Sequence, residues 1–331
     1  MQYKNVSDLS RDLLHSSPRI PRDVDLVVGI PRSGMLAASL LATQRNLPLI
    51  DIDGFLGGAA PWFGDTKIMP PHLRFGTSWE ARRPLVLDDS ILSGGSMAKV
   101  TERLVASGLR PWCLTAAVYY DPASRYDLDL GLIPLDPPRV FEWNLMHKDL
   151  LNQACVDIDG VLCRDPTPEE NDDGPRYRTF LERVPAWHVP SQTIGYLVTS
   201  RLERYRGITE RWLRENGIRF NHLYMMDGHS AEERGHEEHL AHMKGRIYKR
   251  LDARLFIESS HQQAVKICRI SGKATLSYEK GEILCPDGVR GMLANGHTGA
   301  RQGYWTRHIP EPVKYLYRKC FLPLSMARHG P

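Results

Sequence analysis

Two pairs of closely spaced aspartates follow apolar runs in this sequence and could do chemistry. Asp88 and Asp89 are adjacent and precede a loop of small residues, whereas Asp157 and Asp159 are one residue apart and precede Gly160. Adjacent carboxylates suit the vicinal hydroxyls of a sugar or a divalent cation. Two carboxylates on one face of a strand end can share a divalent cation, or one can attack while the other moves protons. The sequence therefore predicts two separate sites.

The first acid pair leads into a stretch that is suited to binding an anion. Ser93, Gly94, Gly95 and Ser96 precede a helical pattern over residues 97–105. Backbone N–H groups converge at the start of a helix, and the helix dipole favours negative charge there. The two serine hydroxyls add donors. We therefore expect this stretch to bind a ribose that carries a 5-phosphate.

A second unit of strand, glycine loop and helix lies upstream. Its strand signal covers residues 25–28 and its helical pattern covers residues 35–44. The loop between them contains Gly29, Arg32, Ser33 and Gly34. Glycines let the backbone approach a ligand closely, and an arginine presents a fork of donors to phosphate oxygens.

These two stretches, in this order and spacing, resemble the substrate loops of type I phosphoribosyltransferases. In that family the paired acids hold the ribose hydroxyls of PRPP (5-phosphoribosyl 1-diphosphate), and the small-residue loop holds its 5-phosphate. The upstream loop binds the diphosphate. The family usually has threonines where Ser93 and Ser96 stand here, and the hydroxyls are kept. The resemblance implies displacement at the anomeric carbon, with Mg²⁺ and Arg32 neutralising the departing diphosphate.

Residues 54–82 are long, glycine-rich and aromatic, as active-site lids often are. The same family closes a flexible loop over PRPP at this place. Candidate diphosphate contacts are Lys67, Arg74, Arg82 and Arg83. A base for a nucleophilic hydroxyl could be Asp121, Asp53 or an acid within the lid, and the sequence leaves that choice open.

The pattern also predicts elements around these loops. We expect a helix over residues 7–15 with Ser7 as its N-cap and with Leu14 among its inward residues. Strands are predicted over residues 47–53 and 112–120. Residues 121–150 are proline-rich, and we expect them to be irregular and to join two domains.

The second acid pair lies in the stretch Ala-Cys-Val-Asp-Ile-Asp-Gly-Val-Leu-Cys, residues 154–163. This stretch resembles the first motif of haloacid-dehalogenase-like (HAD) phosphatases. The resemblance implies that Asp157 is the nucleophile that forms an aspartyl-phosphate. It also implies that Asp159 is the acid/base and that its backbone carbonyl binds Mg²⁺.

Later HAD-like motifs follow in order. Thr199, after an apolar run, stands where the family places a phosphate-binding hydroxyl, and Lys244 stands near its phosphate-neutralising lysine, with Lys249 as the rival. Glu258 ends another apolar run and would complete the metal site. The family often has a second acid next, where this chain has Ser259. The implied metal ligands are therefore Asp157, Glu258 and the carbonyl of Asp159, with Mg²⁺ as cofactor.

Two other features bear on the second site. The insertions between its motifs are too short for a full cap domain, which implies an open site. The segment 229–242 contains four histidines amid glutamates. We interpret it as a solvated helix rather than a metal site, because the histidine spacing does not match a closed ligand set. The histidines are His229, His236, His239 and His242.

The whole chain has 331 residues, of which 42% are hydrophobic and 25% charged, as expected for two globular domains. We predict an α/β fold with two doubly wound parallel-sheet domains, at residues 1–150 and 151–290. The net charge of +4 is too small to argue for nucleic acid. Six scattered cysteines without a CxxC pair favour reduced thiols and a cytoplasmic location. No signal peptide or spanning apolar run is visible in the sequence.

Residues 291–331 form a predicted tail in which residues 311–326 carry apolar and basic positions at helical spacing. Such a helix can pack on the protein, which we favour, or lie on an anionic membrane surface.

Together the two resemblances predict a bifunctional enzyme. It would transfer 5-phosphoribosyl from PRPP to a glycan acceptor with inversion, and would then remove the 5-phosphate to leave β-ribofuranose. We expect this glycan to be lipid-linked. Such fusions resemble two-step ribofuranosyltransferases of bacterial polysaccharide assembly. Two alternatives are a nucleobase phosphoribosyltransferase with nucleotidase activity and a non-catalytic regulator that senses PRPP.

Overall fold

The computed structural model describes residues 1–64, 68–123, 128–227 and 237–286, without the side chains of residues 237 and 238. Met1–Pro286 forms one compact unit. Several sequence predictions lie outside the described residues. They concern Lys67, His229, His236 and the tail from residue 291, including the basic helix over 311–326.

Apolar runs of the first half form a five-stranded sheet with helices between its strands. Strands and helices alternate along the chain as a short parallel-sheet unit requires. In chain order they are β1 (Gln2–Lys4), α1 (Val6–Ser16), β2 (Leu26–Gly29), α2 (Ser33–Arg45), β3 (Leu49–Asp51), α3 (Ile52–Leu56), β4 (Pro84–Ile91), α4 (Gly95–Ala106), β5 (Leu114–Tyr120), β6 (Leu130–Pro134) and β7 (Arg139–Phe141).

The five-stranded sheet has the order β3-β2-β4-β5-β6, and all its pairs are parallel. Successive residues of β4 point into two different cores. Leu85 and Leu87 pack with residues of α1 and α2, whereas Val86 packs with residues of α3 and α4. Helices therefore cover both faces, and the sheet is doubly wound. Its strand order reverses between β2 and β4, which is where ligands bind in such sheets.

The second half forms another alternating set of strands and helices. In chain order these are β8 (Ala154–Val156), α5 (Pro175–Arg183), β9 (Ile194–Leu202), α6 (Arg206–Glu215), β10 (Phe220–Met226), α7 (Glu237–Arg250), β11 (Leu255–Glu258), α8 (His261–Ser271), β12 (Thr275–Ser277) and β13 (Glu282–Leu284).

This second sheet has the order β10-β9-β8-β11-β12-β13, and only the β12–β13 pair is antiparallel among these described strands. Val156 packs with residues of α5 and α6, whereas Cys155 packs with residues of α7 and α8. This sheet is also covered on both faces, and its order reverses between β8 and β11. The predicted α/β class with two doubly wound sheets is confirmed.

The residues between the two sheets are more regular than predicted. Segment 121–150 contains β6, β7 and short 3₁₀ turns, and β7 pairs in parallel with the N-terminal strand β1. The two large sheets lie on either side of residue 150 in the sequence, and the predicted domain boundary at that residue stays a prediction.

Several predicted boundaries were wrong. The N-cap of α1 is Asn5 rather than Ser7, because the Asn5 side chain accepts from the Asp8 backbone N–H. Leu14 is 57% exposed. The predicted strand over 47–53 ends at Asp51, whose carboxylate caps α3 by accepting from the N–H groups of residues 53 and 54. Side-chain capping thus decided helix starts that apolar spacing alone placed incorrectly.

None of the helices formed by the described residues is long and apolar enough to cross a membrane.

Candidate functional site

The two loops of the first predicted site meet at the reversal point between β2 and β4. Gly34, at the start of α2, lies directly against Asp88 of β4. A Cβ atom at Gly34 would lie 2.9 Å from Asp88 Oδ1 and 3.0 Å from the Leu87 carbonyl oxygen. Such distances are too short for a side chain. Glycine is therefore required here, and its absence of a side chain brings the upstream loop and the acid pair together.

Asp88 and Asp89 lie inside β4 rather than after it, since the strand continues to Ile91. They are 7% and 3% exposed, and neither has an ion-pair partner among the described residues. The Asp89 backbone N–H donates to Asp88 Oδ1 at 3.0 Å. Burial, reinforced by the charge of Asp89, raises the pKa of Asp88 to about 8. A proton therefore remains on Asp88 at neutral pH when no ligand is bound.

The small-residue loop after β4 is open to solvent. Ser93, Gly95 and Ser96 are exposed, and Gly94 has φ +76°, a left-handed conformation that favours glycine. Gly94 directly precedes α4, and its carbonyl accepts the Ala98 N–H at 2.8 Å. The first N–H groups of this twelve-residue helix thus lie beside the exposed Ser93 and Ser96.

Arg32 stands at the entry to the same site. It is exposed and has no partner among the described residues, and α2 starts immediately after it at Ser33. The peptide bond between Pro31 and Arg32 is cis. Gly29, at the end of β2, is buried. At this end of the sheet, the described residues therefore present the exposed Arg32 guanidinium beside two helix starts, α2 and α4.

The prediction that Arg82 and Arg83 could contact diphosphate was wrong. Both precede β4, so they lie at the amino ends of the strands, opposite the acids. Their backbone N–H groups donate to the Asp25 carboxylate, and the Arg83 guanidinium pairs with Asp23. Arg74 donates to the Met69 carbonyl oxygen at 3.2 Å. The parallel direction of the strands thus sets Arg82 and Arg83 at the edge of the sheet opposite the acids.

Part of the predicted lid, residues 54–82, packs into the protein core. Phe55 and Phe75 are buried in the core beneath α4. Trp62 and Trp79 are more than half exposed, and the Trp79 indole N–H donates to the Phe55 carbonyl oxygen at 2.9 Å. The segment thus has an anchored base and exposed aromatic faces.

The two named candidates for the base differ in position. Asp53 is exposed and forms an ion pair with Arg103 at 2.6 Å. Asp121 is buried at the end of β5, where its backbone N–H donates to the Ile91 carbonyl oxygen at 3.3 Å. Asp121 therefore lies beside the strand that carries the acid pair.

The second predicted site is built at the reversal point between β8 and β11. The ammonium group of Lys244, on α7, lies 2.6 Å from Asp157 Oδ2 and 2.8 Å from Glu258 Oε2. All three side chains are almost fully buried. Lys249, the rival lysine, is exposed on the same helix. The tertiary structure thus brings together residues that are 87 positions apart in the sequence.

The charges of the buried trio Asp157, Lys244 and Glu258 affect one another. Burial by itself would lower the pKa of Lys244, but the two carboxylates outweigh it and raise this pKa above its ordinary value. Burial raises the pKa of Asp157, although Lys244 opposes that shift. Two acids face one ammonium, so the trio has room for further positive charge.

Asp159 does not face this trio with a free carboxylate. The fully buried Arg201 donates to its two oxygens from Nη2 at 2.6 Å and from Nε at 3.0 Å. Cys163 Sγ lies 3.4 Å from Asp159 Oδ1. Sequence reasoning missed Arg201, which lies near the end of β9, two residues after Thr199. Bidentate pairing of this kind fixes the orientation of a carboxylate.

Thr199 lies on β9 and is completely buried, and its hydroxyl oxygen accepts the Arg201 backbone N–H at 3.2 Å. Asp165 was also missed. A Cβ atom at Gly160 would lie 2.8 Å from Asp165 Oδ2 and 2.9 Å from Ser259 Oγ. These two side chains therefore flank the turn that follows the acid pair.

The donor set of the second site fits Mg²⁺. Asp157 and Glu258 converge on one cation already, the Lys244 ammonium, and Mg²⁺ in proteins often uses one or two carboxylates with several waters. No group of three or more His, Cys, Asp or Glu side chains suited to a metal exists in the part of the chain that the structure describes. His239 and His242 therefore lie outside any metal cluster of described residues.

Comparisons with known proteins add little. No protein-family model matches the chain, and no curated protein matches it. Among solved structures, it is similar to the xanthine-guanine-hypoxanthine phosphoribosyltransferase of Helicobacter pylori, with 17% identity and a TM-score of 0.31 over 44% of this chain and 92% of that one. A purine phosphoribosyltransferase from Pyrococcus horikoshii Ot3 has 17% identity and a TM-score of 0.31, over 43% of this chain and 92% of that one.

A hypothetical protein from Neisseria gonorrhoeae with bound ppGpp has 14% identity and a TM-score of 0.31, over 43% of this chain and 89% of that one. Similarities at this level say nothing about the activity of the present chain.

Proposed function

We propose that this protein is a two-step ribofuranosyltransferase. It transfers a 5-phosphoribosyl group from PRPP to a glycan acceptor and then removes the 5-phosphate. The observation that carries the proposal is the pairing of two strand-end sites in one compact unit. One presents acids beside an exposed serine-glycine loop, and the other joins Asp157, Lys244 and Glu258.

In the first step, an acceptor hydroxyl oxygen bonds to the anomeric carbon of PRPP as the bond from that carbon to diphosphate breaks. Attack from the opposite face converts the α donor to a β product. The hydroxyl proton passes to a base, for which Asp121 is the better placed of the two named candidates. Arg32 and the N-terminus of α2 bind the departing diphosphate, and Asp88 and Asp89 hold the ribose hydroxyls.

In the second step, an Asp157 oxygen bonds to the phosphorus of the 5-phosphate while the bond from phosphorus to the sugar oxygen breaks. Asp159 gives a proton to that sugar oxygen and later takes one from the water that hydrolyses the aspartyl-phosphate. Lys244 binds the phosphate oxygens. Because Arg201 holds Asp159, proton transfer requires Asp159 to give up at least one of these hydrogen bonds.

Mg²⁺ would be held by Asp157, Glu258 and the Asp159 carbonyl, and would supply charge neutralisation for the phosphate. Mg²⁺ is also expected with the diphosphate in the first step.

A glycan is favoured as acceptor for chemical reasons. A nucleobase acceptor would give a nucleotide whose phosphate is removed at once, whereas a glycan acceptor would give a finished ribofuranose. Exposed Trp62 and Trp79 offer aromatic faces on which a pyranose can stack. A lipid-linked glycan and a cytoplasmic location belong to the proposal. Contact of residues 311–326 with the membrane is the alternative to packing of that segment on the protein.

The test is diphosphate release from PRPP in the presence of Mg²⁺ with two sets of acceptors. GlcNAc- or galactose-terminated acceptors should support release and gain a pentosyl residue without phosphate. Release with purine or pyrimidine bases alone would overturn the glycan assignment in favour of a nucleobase enzyme. Binding of PRPP without release under any acceptor would favour the non-catalytic regulator.

A further inference from the structure

The segment that joins the two sheets takes part in both cores. This connecting segment, residues 139–147, consists of β7 and the 3₁₀ turn that follows it. Phe141 and Trp143 pack with the first sheet. The other apolar side chains of the segment, Val140, Leu145 and Met146, pack with the second sheet. The segment is therefore fixed from two sides.

Trp143 reaches from this segment into the first site. Its indole Nε1–H donates to Asp89 Oδ2 at 2.8 Å. Asp89 is 3% exposed, so this donor satisfies an oxygen that water hardly reaches. An indole N–H donates and cannot accept. The contact therefore determines which of the Asp89 oxygens stays available to a ligand.

The indole ring is itself held by aromatic stacking. Trp143 stacks on Phe141 with ring centroids 4.9 Å apart, and Phe141 stacks on Tyr119 at 5.4 Å. The Tyr119 hydroxyl donates to Asp12 Oδ2 at 2.7 Å. Offset stacks of this kind add to the stability of buried rings. The donor thus has a defined position before any ligand arrives.

We propose that Trp143 is a positioning residue for the first site: it orients Asp89 so that the remaining carboxylate oxygen receives a ribose hydroxyl of the donor sugar. This inference rests on the proposed function, because it takes PRPP as the ligand. It adds to the first site a residue from outside its two substrate loops, at residues 29–34 and 93–96. A group fixed in advance costs less entropy on binding, so loss of the indole donor should weaken ligand binding rather than chemistry at the second site.

The test compares W143F with W212F. Phenylalanine keeps an aromatic ring at position 143 and removes the N–H. Trp212 is the matched control, because its indole also loses a buried hydrogen bond, to the Val184 carbonyl oxygen at 2.7 Å, in the other core. We expect the KM for PRPP to rise about 10-fold in W143F, as the loss of one buried hydrogen bond predicts. W212F should keep the KM of the native protein.

A second readout separates positioning from damage to the fold. Phosphate release from a supplied phosphoribosylated product should be unchanged in W143F. If W143F binds PRPP as tightly as the native protein, the inference is wrong while the proposed function stands. A native protein that binds no PRPP would overturn both.

A measurement on the native chain covers the case in which W143F does not fold. The seven tryptophans give indole N–H signals in a spectrum of ¹⁵N-tryptophan-labelled protein. The signal displaced by D89N should be among those that PRPP displaces. If PRPP binds and leaves that signal in place, Trp143 does not position the ligand-binding acid.

Discussion

In the second sheet, Asp157 and Glu258 share the ammonium group of Lys244, and Asp159 is held by Arg201. In the first sheet, Asp88 and Asp89 lie at the equivalent place, beside the reversal of strand order, yet no cation pairs with either among the described residues. The first pair instead has one indole donor and a proton on Asp88. The two sheets thus place acids at equivalent positions, but the acids of the second sheet face cations and those of the first do not among the described residues.

The difference shows what each site requires of its ligand. Buried carboxylates are costly unless they are paired. The second site supplies its own cations, so it is suited to a phosphate that arrives with much negative charge. Among the described residues no cation pairs with the acids of the first site, and under the proposed function its ligand brings hydroxyl donors there. Its candidate anion-binding groups, Arg32 and the exposed loop at residues 93–96, are separate from the two acids.

The largest expected effect separates the two sites by chemistry. D157N should lower phosphate release by about 1,000-fold or more, because it removes the nucleophile, and a phosphoribosylated product should accumulate. The double variant D88N/D89N should stop diphosphate release and leave hydrolysis of a supplied phosphorylated product intact. Chromatography and mass spectrometry of the products measure both. If either variant abolishes both steps while the fold persists, the sites are not independent.

The next effect concerns the internal cation of the second site. K244M leaves Asp157 and Glu258 buried without their shared ammonium, and we expect the free energy of unfolding to fall by about 3–5 kcal/mol. Urea denaturation followed by circular dichroism measures it. K249M, which changes an exposed lysine of the same helix, is the control and should unfold like the native protein. Equal stability of K244M and K249M would mean that the trio does not depend on its cation.

A smaller effect tests the exposed cation of the first site. R32A should weaken PRPP binding about 10- to 100-fold, the usual range for loss of a hydrogen bond between charged groups. R83A removes an arginine from the amino end of the same sheet and should leave binding unchanged. Calorimetric titration with PRPP in the presence of Mg²⁺ compares the two. Equal losses of PRPP affinity in R32A and R83A would show that the net charge of the protein, rather than the position of Arg32, determines binding.

The smallest effect is a change of stability with pH. Asp88 has a pKa near 8 in the folded protein against 3.8 for an ordinary aspartate. The folded state thus binds more protons between these values, and the free energy of unfolding should fall as pH rises from 4 to 8. D88N removes this contribution, so it should be more stable than the native protein at pH 8.5 by about 1 kcal/mol or more.

Urea denaturation at pH 5 and pH 8.5 measures the change, and D53N, at an exposed aspartate, is the control. If D88N and the native protein lose stability equally over this range, Asp88 titrates as an ordinary carboxyl.

The sequence by itself determined the alternation of strands and helices, because apolar runs, glycine loops and helical spacing are local patterns. The apolar runs also indicated that four acids lie at or near the carboxyl ends of strands. These acids are Asp88, Asp89, Asp157 and Glu258. Apolar patterns failed at helix starts, where a neighbouring capping side chain decided the outcome. Asn5 rather than Ser7 caps α1, and the Asp51 carboxylate starts a helix where the pattern predicted more strand.

Only the tertiary structure decided which groups face one another. Strand order placed Gly34 against Asp88. The parallel direction of the strands set Arg82 and Arg83 at the opposite edge of the sheet from the acids. The tertiary structure also brought Trp143 to Asp89 and Arg201 to Asp159. Such contacts join residues that are 54 and 42 positions apart. Hydrogen bonds act over about 3 Å, so they depend on the folded path of the chain rather than on sequence spacing.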